Sequence, residues 1–288
     1  MIIHSIKNII INGSADKPIS LDIFLPGNNK PAPVVMYAHG FNGFKDWGNF
    51  DLVAEKFAMH GFVFVKFNFS HNGTSPDNPE AFVDLEAFGN NNYSKQLEDL
   101  RLVTDWVCDA GNIYQEFIDT NQLSLVGHSM GGGIAILFAA RDIRIKKLIT
   151  WASISECKTP WGSWPDSAMQ EWKATGVQYY TNGRTKQQLP LYYQLYEDHV
   201  QNEDQFNIEH AIKSLNIPIL VCHGTLDNAV PFESALALKR WQPDATLFTV
   251  ESDHVFGRSH PWHDILLPSA MEAVVEASLQ FLKMQDIS

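Results

Sequence analysis

The chain has 288 residues, 45% of them hydrophobic and 19% charged. That composition is globular and excludes a disordered or fibrous chain, and the length fits one domain that carries an insertion. A net charge of −12 speaks against nucleic acid, which needs clustered Lys and Arg, and against an anionic membrane surface as partners.

The first residues show no basic region followed by an apolar stretch, so no secretory leader is expected. No apolar run long enough to span a membrane occurs either. Residues 2–11 and 19–25 read as two strands split by the turn at 12–16. Residues 33–38 form a short apolar run that stops at His39-Gly40, the pattern of a fully buried strand. Residues 51–59 have helical spacing and end at Gly61. Residues 62–67 read as a strand. Residues 93–108 form an amphipathic helix with Leu97, Leu100, Val103, Thr104 and Val107 on one face. There follow a strand at 122–126, a small-residue helix at 132–140 and a strand at 147–151. After a gap come a strand at 217–222, a helix at 233–239, a strand at 246–250 and a closing helix at 269–283.

Strands that alternate with helices, many of them uniformly apolar, predict an α/β fold. The expected architecture is a mostly parallel sheet of roughly eight strands with helices on both faces. The alternation breaks once, after the sixth strand. About 65 residues between Trp151 and Ile217 lack an obvious core strand, too many for a structureless loop. Residues 153–212 are therefore expected to form a helical or mixed cap insertion at the sheet's carboxyl edge, with 1–152 and 213–288 as the core. Of the 8 Trp and 8 Tyr residues in the chain, half fall between Trp161 and Tyr196. The three cysteines, Cys108, Cys157 and Cys222, are odd in number and widely spaced. They predict neither a disulfide framework nor a zinc site, and fit reduced thiols in the cytoplasm.

One motif carries chemistry. The strand at 122–126 runs straight into Gly127-His128-Ser129-Met130-Gly131-Gly132 and then a helix. Gly-x-Ser-x-Gly in a strand–turn–helix setting is a nucleophile elbow. The strained turn projects the Ser129 hydroxyl above the sheet, and side chains at Gly127 and Gly131 would strike neighbouring strands. The amides of the following helix point to where negative charge would develop. A phosphate-binding loop does not fit, because no Lys follows and the Gly-x-Gly-x-x-Gly spacing is missing.

A serine hydroxyl needs a base and an orienting acid. Asp227 lies on the loop that leaves the strand at 217–222, and His254 on the loop after 246–250. With Ser129 they share the carboxyl edge of the sheet, where such folds bind ligands. Glu156, after the strand at 147–151, is the second candidate for the acid. Asp253 adjoins His254, but sequence neighbours rarely point at one another. His260 and His263 have His-x-x-His spacing, but Pro261 and Trp262 between them read as a loop, so no metal is expected. His199 and His210 read as surface residues of the insertion.

These segments resemble the α/β-hydrolase superfamily, over nearly the whole chain. Gly-His-Ser-Met-Gly-Gly at 127–132 is similar to its elbow, His-Gly-Thr-x-Asp-x-x-Val-Pro at 223–231 to its acid loop, and Asp-His-x-Phe at 253–256 to its histidine loop. Closer still is the serine branch of the dienelactone-hydrolase-like and prolyl-oligopeptidase-like group, which includes cinnamoyl and feruloyl esterases. Dienelactone hydrolases proper carry cysteine where this chain has Ser129, which moves the expectation from lactone cleavage to ester hydrolysis.

The resemblance implies a carboxylesterase that forms an acyl-enzyme on Ser129, with His254 as base and Asp227 as orienting acid. It places the oxyanion hole at the backbone amides of Met130 and Phe41, gives His39 a role in supporting the backbone, and calls for no cofactor. A prolyl-oligopeptidase-like peptidase, a thioesterase or a lactonase is the alternative. A binding protein that merely keeps the pocket is a third reading, opposed by the complete Ser, Asp and His set. The expected substrate is a small-molecule ester with an apolar or aromatic acyl group. Trp161, Trp164 and Tyr193 are candidates to bind it, and Arg184 to bind a substrate carboxylate. Packing of the insertion onto the core is the competing role for the rings, and a solvated loop charge for Arg184.

Overall fold

The computed structural model describes residues 3–27 and 30–284. Ile2, at the start of the first expected strand, and residues 1 and 285–288 of the expected core lie outside the described residues. In chain order the elements are β1 (Ile3–Asn12), β2 (Pro18–Pro26), β3 (Ala32–Ala38), α1 (Asp51–Met59), β4 (Val63–Asn68), α2 (Leu85–Gly89), α3 (Tyr93–Cys108), β5 (Ile118–His128), α4 (Met130–Ala139) and β6 (Ile145–Trp151). There follow α5 (Asp166–Thr175), β7 (Val177–Thr181), β8 (Gln188–Tyr192), α6 (Gln194–Gln201), α7 (Ile208–Ser214), β9 (Ile219–Gly224), α8 (Glu233–Trp241), β10 (Thr246–Val250) and α9 (Ser269–Lys283).

Eight strands form one sheet in the order β1-β2-β4-β3-β5-β6-β9-β10. β1 and β2 pair antiparallel, β2 lies antiparallel to β4, and every pairing from β4 to β10 is parallel. The chain steps outward from β3 to β4, then returns to lay β5 on the other side of β3. That reversal opens a crevice at the carboxyl ends of β3 and β5, the usual ligand position in such sheets.

Alternation along β3 shows why both faces are covered. Val34 and Met36 point to one side and pack with Leu100 and Val103 of α3, Ile134 and Leu137 of α4 and Leu238 of α8. Val35 and Tyr37 point to the other and join Val53 and Phe57 of α1 and Met271, Val275 and Leu279 of α9. A strand buried on both faces needs an apolar residue at every position, and that is what makes such a run legible. This is the α/β-hydrolase fold. No helix among the described residues is long and apolar enough to cross a membrane.

Several element bounds differ from the sequence reading, and one element was not expected. β5 continues to His128 and α4 starts at Met130, so only Ser129 separates them. The short helix α2 comes from a stretch with no assigned element; Asp84 caps it by accepting the Ala87 N–H at 2.9 Å.

Between β6 and β9 the chain forms α5, the antiparallel hairpin β7–β8, α6 and α7. Trp172 is fully buried there and donates from Nε1 to the Leu191 carbonyl at 2.7 Å. The expectation for His199 needs correcting. It is half-buried in an aromatic cluster, with ring centroids 5.5 Å from Trp161, 6.2 Å from Phe206 and 6.5 Å from Tyr93. Its position on α6 turns it toward α3, which hydropathy along a short helix does not reveal. His210 is exposed, as expected.

Candidate active site

Ser129 sits between a strand end and a helix start with φ 58° and ψ −123°. A non-glycine residue there costs on the order of 1–3 kcal/mol of backbone strain and persists only where packing over-determines it. The packing is evident at the two glycines. A Cβ on Gly127 would lie 2.3 Å from the Gly131 carbonyl oxygen, and one on Gly131 would lie 2.3 Å from that of His39. The Ser129 amide donates to the Trp151 carbonyl at 2.9 Å, which ties the turn to β6. Met130 opens α4, where backbone N–H groups have no intrahelical acceptor and can face a ligand.

The loop after β3 runs against this turn. A Cβ on Gly40 would lie 2.8 Å from Ser129 Cβ and 3.3 Å from Ser129 Oγ. Three bonds fix the loop. His39 Nδ1 donates to the Gly40 carbonyl at 2.9 Å, Gly43 N–H donates to the same oxygen at 3.1 Å, and Phe69 N–H donates to His39 Nε2 at 3.3 Å. Burial pushes the His39 pKa down to about 4, so the ring is neutral and can both donate and accept. Phe41, next in the loop, packs edge-on against Tyr180 of β7 at 5.1 Å.

Asp227 lies just past β9. Its Oδ1 accepts from Ala229 N–H at 2.8 Å and Val230 N–H at 2.9 Å, and its Oδ2 faces His254 Nδ1 at 2.7 Å. His223 Nε2 stands 3.3 Å from the same Oδ2 and 2.9 Å from the Val230 carbonyl. Burial pushes the carboxyl up, but hydrogen bonds from His223 and His254 outweigh it and hold Asp227 well below its ordinary range. A carboxylate beside Nδ1 fixes the proton there, which leaves His254 Nε2 as an acceptor.

His254 is held from its other side too. His128 Nε2 donates to the His254 carbonyl at 2.9 Å, and the two ring centroids lie 4.8 Å apart. Burial, then the positive groups nearby, push the His128 pKa well below its ordinary value, so it stays neutral against its neighbour. The loop closes through Phe256 and Gly257, both at positive φ, and through Arg258, whose Nε donates to the Val255 carbonyl at 3.1 Å.

The other candidate acids are turned elsewhere. Glu156 is exposed and pairs with Lys158. Asp253 accepts the Val255 and Gly257 amides of its own loop. His260 accepts the Gly48 N–H at 3.1 Å and packs edge-on to Phe44, while His263 is exposed. Asp22, Asp46 and Asp51 bring carboxylate oxygens within 4.8 Å of one another. The Lys66 ammonium already lies among them, bonded to Asp46 and 3.2 Å and 2.6 Å from Asp22 and Asp51. It fills the place that a metal ion would take.

None of the four proposed substrate contacts lines the small cleft between Phe41 and Met130. Trp161 is buried against Trp172 and Tyr93, Trp164 packs on Trp172, and Tyr193 meets Trp172 edge-on at 5.4 Å. Arg184 is exposed in the β7–β8 turn, where its amide donates to Asn182 Oδ1. That cleft is lined by Phe41, Phe88, Gly89, Asn91, Met130, Leu191 and Leu195. Sequence reading passed over Phe88, Leu191 and Leu195. The Leu189–Leu191 alternation was the available signal for β8, and it reads the same as ordinary core.

The Hydrolase_4 family model, described as serine aminopeptidase, S33, matches residues 29–205. A Mycoplasma genitalium protein that carries an esterase/lipase name is 26% identical over 294 residues, covering 96% of this chain and 95% of the relative. The 2-hydroxymuconate semialdehyde hydrolase of Pseudomonas putida is 27% identical over 186 residues, 56% of this chain and 63% of the relative. The match thus spans less than two thirds of the length of that curated relative, and of another. Among solved structures, Est1E from Butyrivibrio proteoclasticus, with ferulic acid bound, superposes with a TM-score of 0.67 at 20% identity, covering 96% of this chain and 100% of that one. This likeness is one of fold. With the family model matched over more than half of its length, the chain belongs to the Hydrolase_4 (serine aminopeptidase, S33) family of α/β-hydrolases.

Proposed function

We propose that the protein is a serine hydrolase that cleaves small-molecule carboxylic esters through an acyl-enzyme on Ser129. The observation that carries this reading is the 2.7 Å contact between His254 Nδ1 and Asp227, set beside a serine on a strained elbow. Ser129 Oγ attacks the ester carbonyl and gives its proton to His254 Nε2. Asp227 holds the imidazole tautomer and stabilises the imidazolium. The Met130 and Phe41 amides receive the developing oxyanion. The tetrahedral intermediate collapses as His254 protonates the departing alkoxide. Water then gives a proton to His254 and attacks the acyl carbonyl, which releases the acid and restores Ser129.

The family's description raises an aminopeptidase as the second reading. A peptide's ammonium terminus calls for a carboxylate near the scissile bond, and none is among the residues that line the cleft. An apolar lining favours an apolar acyl group, and the ferulic acid bound to Est1E supports an ester of that kind. Thioesters and lactones would react by the same steps. In this reading residues 153–212 act as a cap over the core of 1–152 and 213–288. The three free thiols support a reducing, cytoplasmic setting.

The test is labelling with a fluorophosphonate, followed by peptide mapping. The adduct is expected on Ser129. Ser129→Ala should fold, lose the label and lose about 10⁴-fold or more in turnover of an activated ester. Hydrolysis of aminoacyl-nitroanilides faster than of nitrophenyl esters would favour the peptidase.

A further inference from the structure

Asp227 Oδ2 has two imidazoles beside it, and only one of them belongs to the proposed base. His254 Nδ1 lies 2.7 Å from that oxygen and His223 Nε2 lies 3.3 Å from it. The side chains of His223 and Asp227 are fully buried, whereas that of His254 keeps 20% of its exposure. His223 stands on β9 itself, and its ring packs edge-on against Phe232 at 5.9 Å.

The surroundings of His223 decide which of its nitrogens carries the proton. Nε2 is 2.9 Å from the Val230 carbonyl and close to Asp227 Oδ2, and both neighbours are acceptors. Nδ1 is buried and has no hydrogen-bond partner among the described residues. The proton therefore sits on Nε2. A closed ring of contacts results. His223 Nε2 donates to the Val230 carbonyl, Val230 N–H donates to Asp227 Oδ1 at 2.9 Å, and Asp227 Oδ2 faces His223 Nε2 again. The acid loop is tied to the histidine loop as well. Thr225 N–H donates to the Val250 carbonyl at 2.9 Å and Leu226 N–H to that of Ser252 at 3.0 Å.

From this geometry we propose that His223 is a positioning residue: its Nε2–H holds the Val230 turn and takes up part of the negative charge on Asp227 Oδ2, and so sets how strongly that oxygen holds the His254 imidazolium. The assignment rests on the acyl-enzyme reading above. Without that N–H the charge on Oδ2 is left to His254 alone, the imidazolium is held more tightly, and the base gives up its proton only at higher pH. The carboxylate also loses a contact that keeps it from turning, which is felt in the transition state rather than in substrate binding. The other titratable and charged groups acting on the pair are His128 at the end of β5 and Asp253 and Arg258 on the loop of His254. A substitution at position 223 leaves them in place.

The experiment compares the full chain with His223→Phe and His223→Gln. It reads the pH dependence of kcat/KM on p-nitrophenyl acetate, kcat and KM separately, the melting temperature, and fluorophosphonate labelling of Ser129. Phe keeps an aromatic ring without a donor, whereas Gln can place an amide N–H near the position of Nε2. His223→Phe is expected to lower kcat about tenfold with KM within about twofold, and to move the acid limb of the profile up by about half a pH unit or more. His223→Gln should return the limb to its wild-type position and recover most of the lost kcat. If His223→Phe does not fold, His223→Asn, whose shorter amide stops at the Nδ1 position, takes its place. An acid limb that stays in place or moves down, or one that moves as far in His223→Gln as in the donor-free variant, overturns the positioning role. So does failure of both donor-free variants to fold while His223→Gln folds. With Ser129 labelled, each of these leaves the acyl-enzyme standing. Wild type that takes no label at Ser129 overturns both.

Discussion

Asn182 of the β7–β8 turn donates from Nδ2 to Asn42 Oδ1 at 3.1 Å, which joins the insertion to the loop that runs against Ser129. Asn182 is 3% exposed, and its Oδ1 also accepts the Arg184 and Thr185 amides. Asn42 has φ 56° and directly follows Phe41. The bond therefore braces the backbone whose amide is proposed to meet the oxyanion. Asn182→Ala is expected to lower kcat on a nitrophenyl ester about tenfold while KM changes little, because misplaced donors are felt in the transition state. Steady-state kinetics, with thermal melting to confirm folding, checks this. A rise in KM with kcat intact would mean that the bond serves ground-state binding instead.

The acid assignment separates cleanly. Asp227→Asn keeps the shape but replaces the acceptor opposite His254 Nδ1 with a group that can donate, so the imidazole takes the wrong tautomer. The expected loss in kcat is on the order of 10⁴-fold. Glu156→Gln alters an exposed residue on another loop and should leave kcat within about twofold and stability within about 0.5 kcal/mol. If the two variants exchange these outcomes, Glu156 is the acid.

The candidate site was legible in the chain because its residues sit at strand ends. Gly127 and Gly131 are demanded by backbone contacts of 2.3 Å, and no other residue type survives there, so the elbow announces itself locally. Asp227 and His254 follow buried strands whose uniform apolarity marks them. The cleft was not legible for the opposite reason. Phe88 comes from α2, about a hundred residues before Leu191 of β8 and Leu195 of α6, and each has the burial and residue type of ordinary core. The aromatic residues drew attention by number, yet Trp161, Trp164, Trp172, Tyr193 and Tyr196 are near one another. Large rings bury most area when they meet. The hairpin β7–β8 escaped because a lone two-stranded ribbon of five-residue strands leaves little pattern.

Acid sensitivity follows from Asp227. Its folded-state pKa lies well below the ordinary 3.8, so the folded form binds a proton less readily than the unfolded chain. The resulting stability is fully present above the ordinary value and is lost as pH falls below it toward the folded value. Urea denaturation of the wild type between pH 6 and about pH 3 should show this loss, and Asp227→Asn should show a shallower one. Equal slopes for the two would remove Asp227 as a contributor to acid unfolding.

Trp172 tests whether packing in the insertion controls the cleft. It is fully buried, sits under Trp164 and Tyr193, and holds the carbonyl of Leu191. Trp172→Phe keeps an aromatic ring but removes the donor, leaving that carbonyl without its bond at a cost of about 1–3 kcal/mol. Smaller volume adds a cavity term in the same direction. Because Leu191 lines the cleft between Phe41 and Met130, the loosened strand should admit longer acyl chains there, so the ratio of p-nitrophenyl octanoate to acetate turnover should rise as the melting temperature falls. Ser129, Asp227 and His254 follow the ends of β5, β9 and β10 and should be untouched, so fluorophosphonate labelling should proceed at close to the wild-type rate. A fall in stability with an unchanged chain-length profile would show that Trp172 packs the insertion without shaping the cleft.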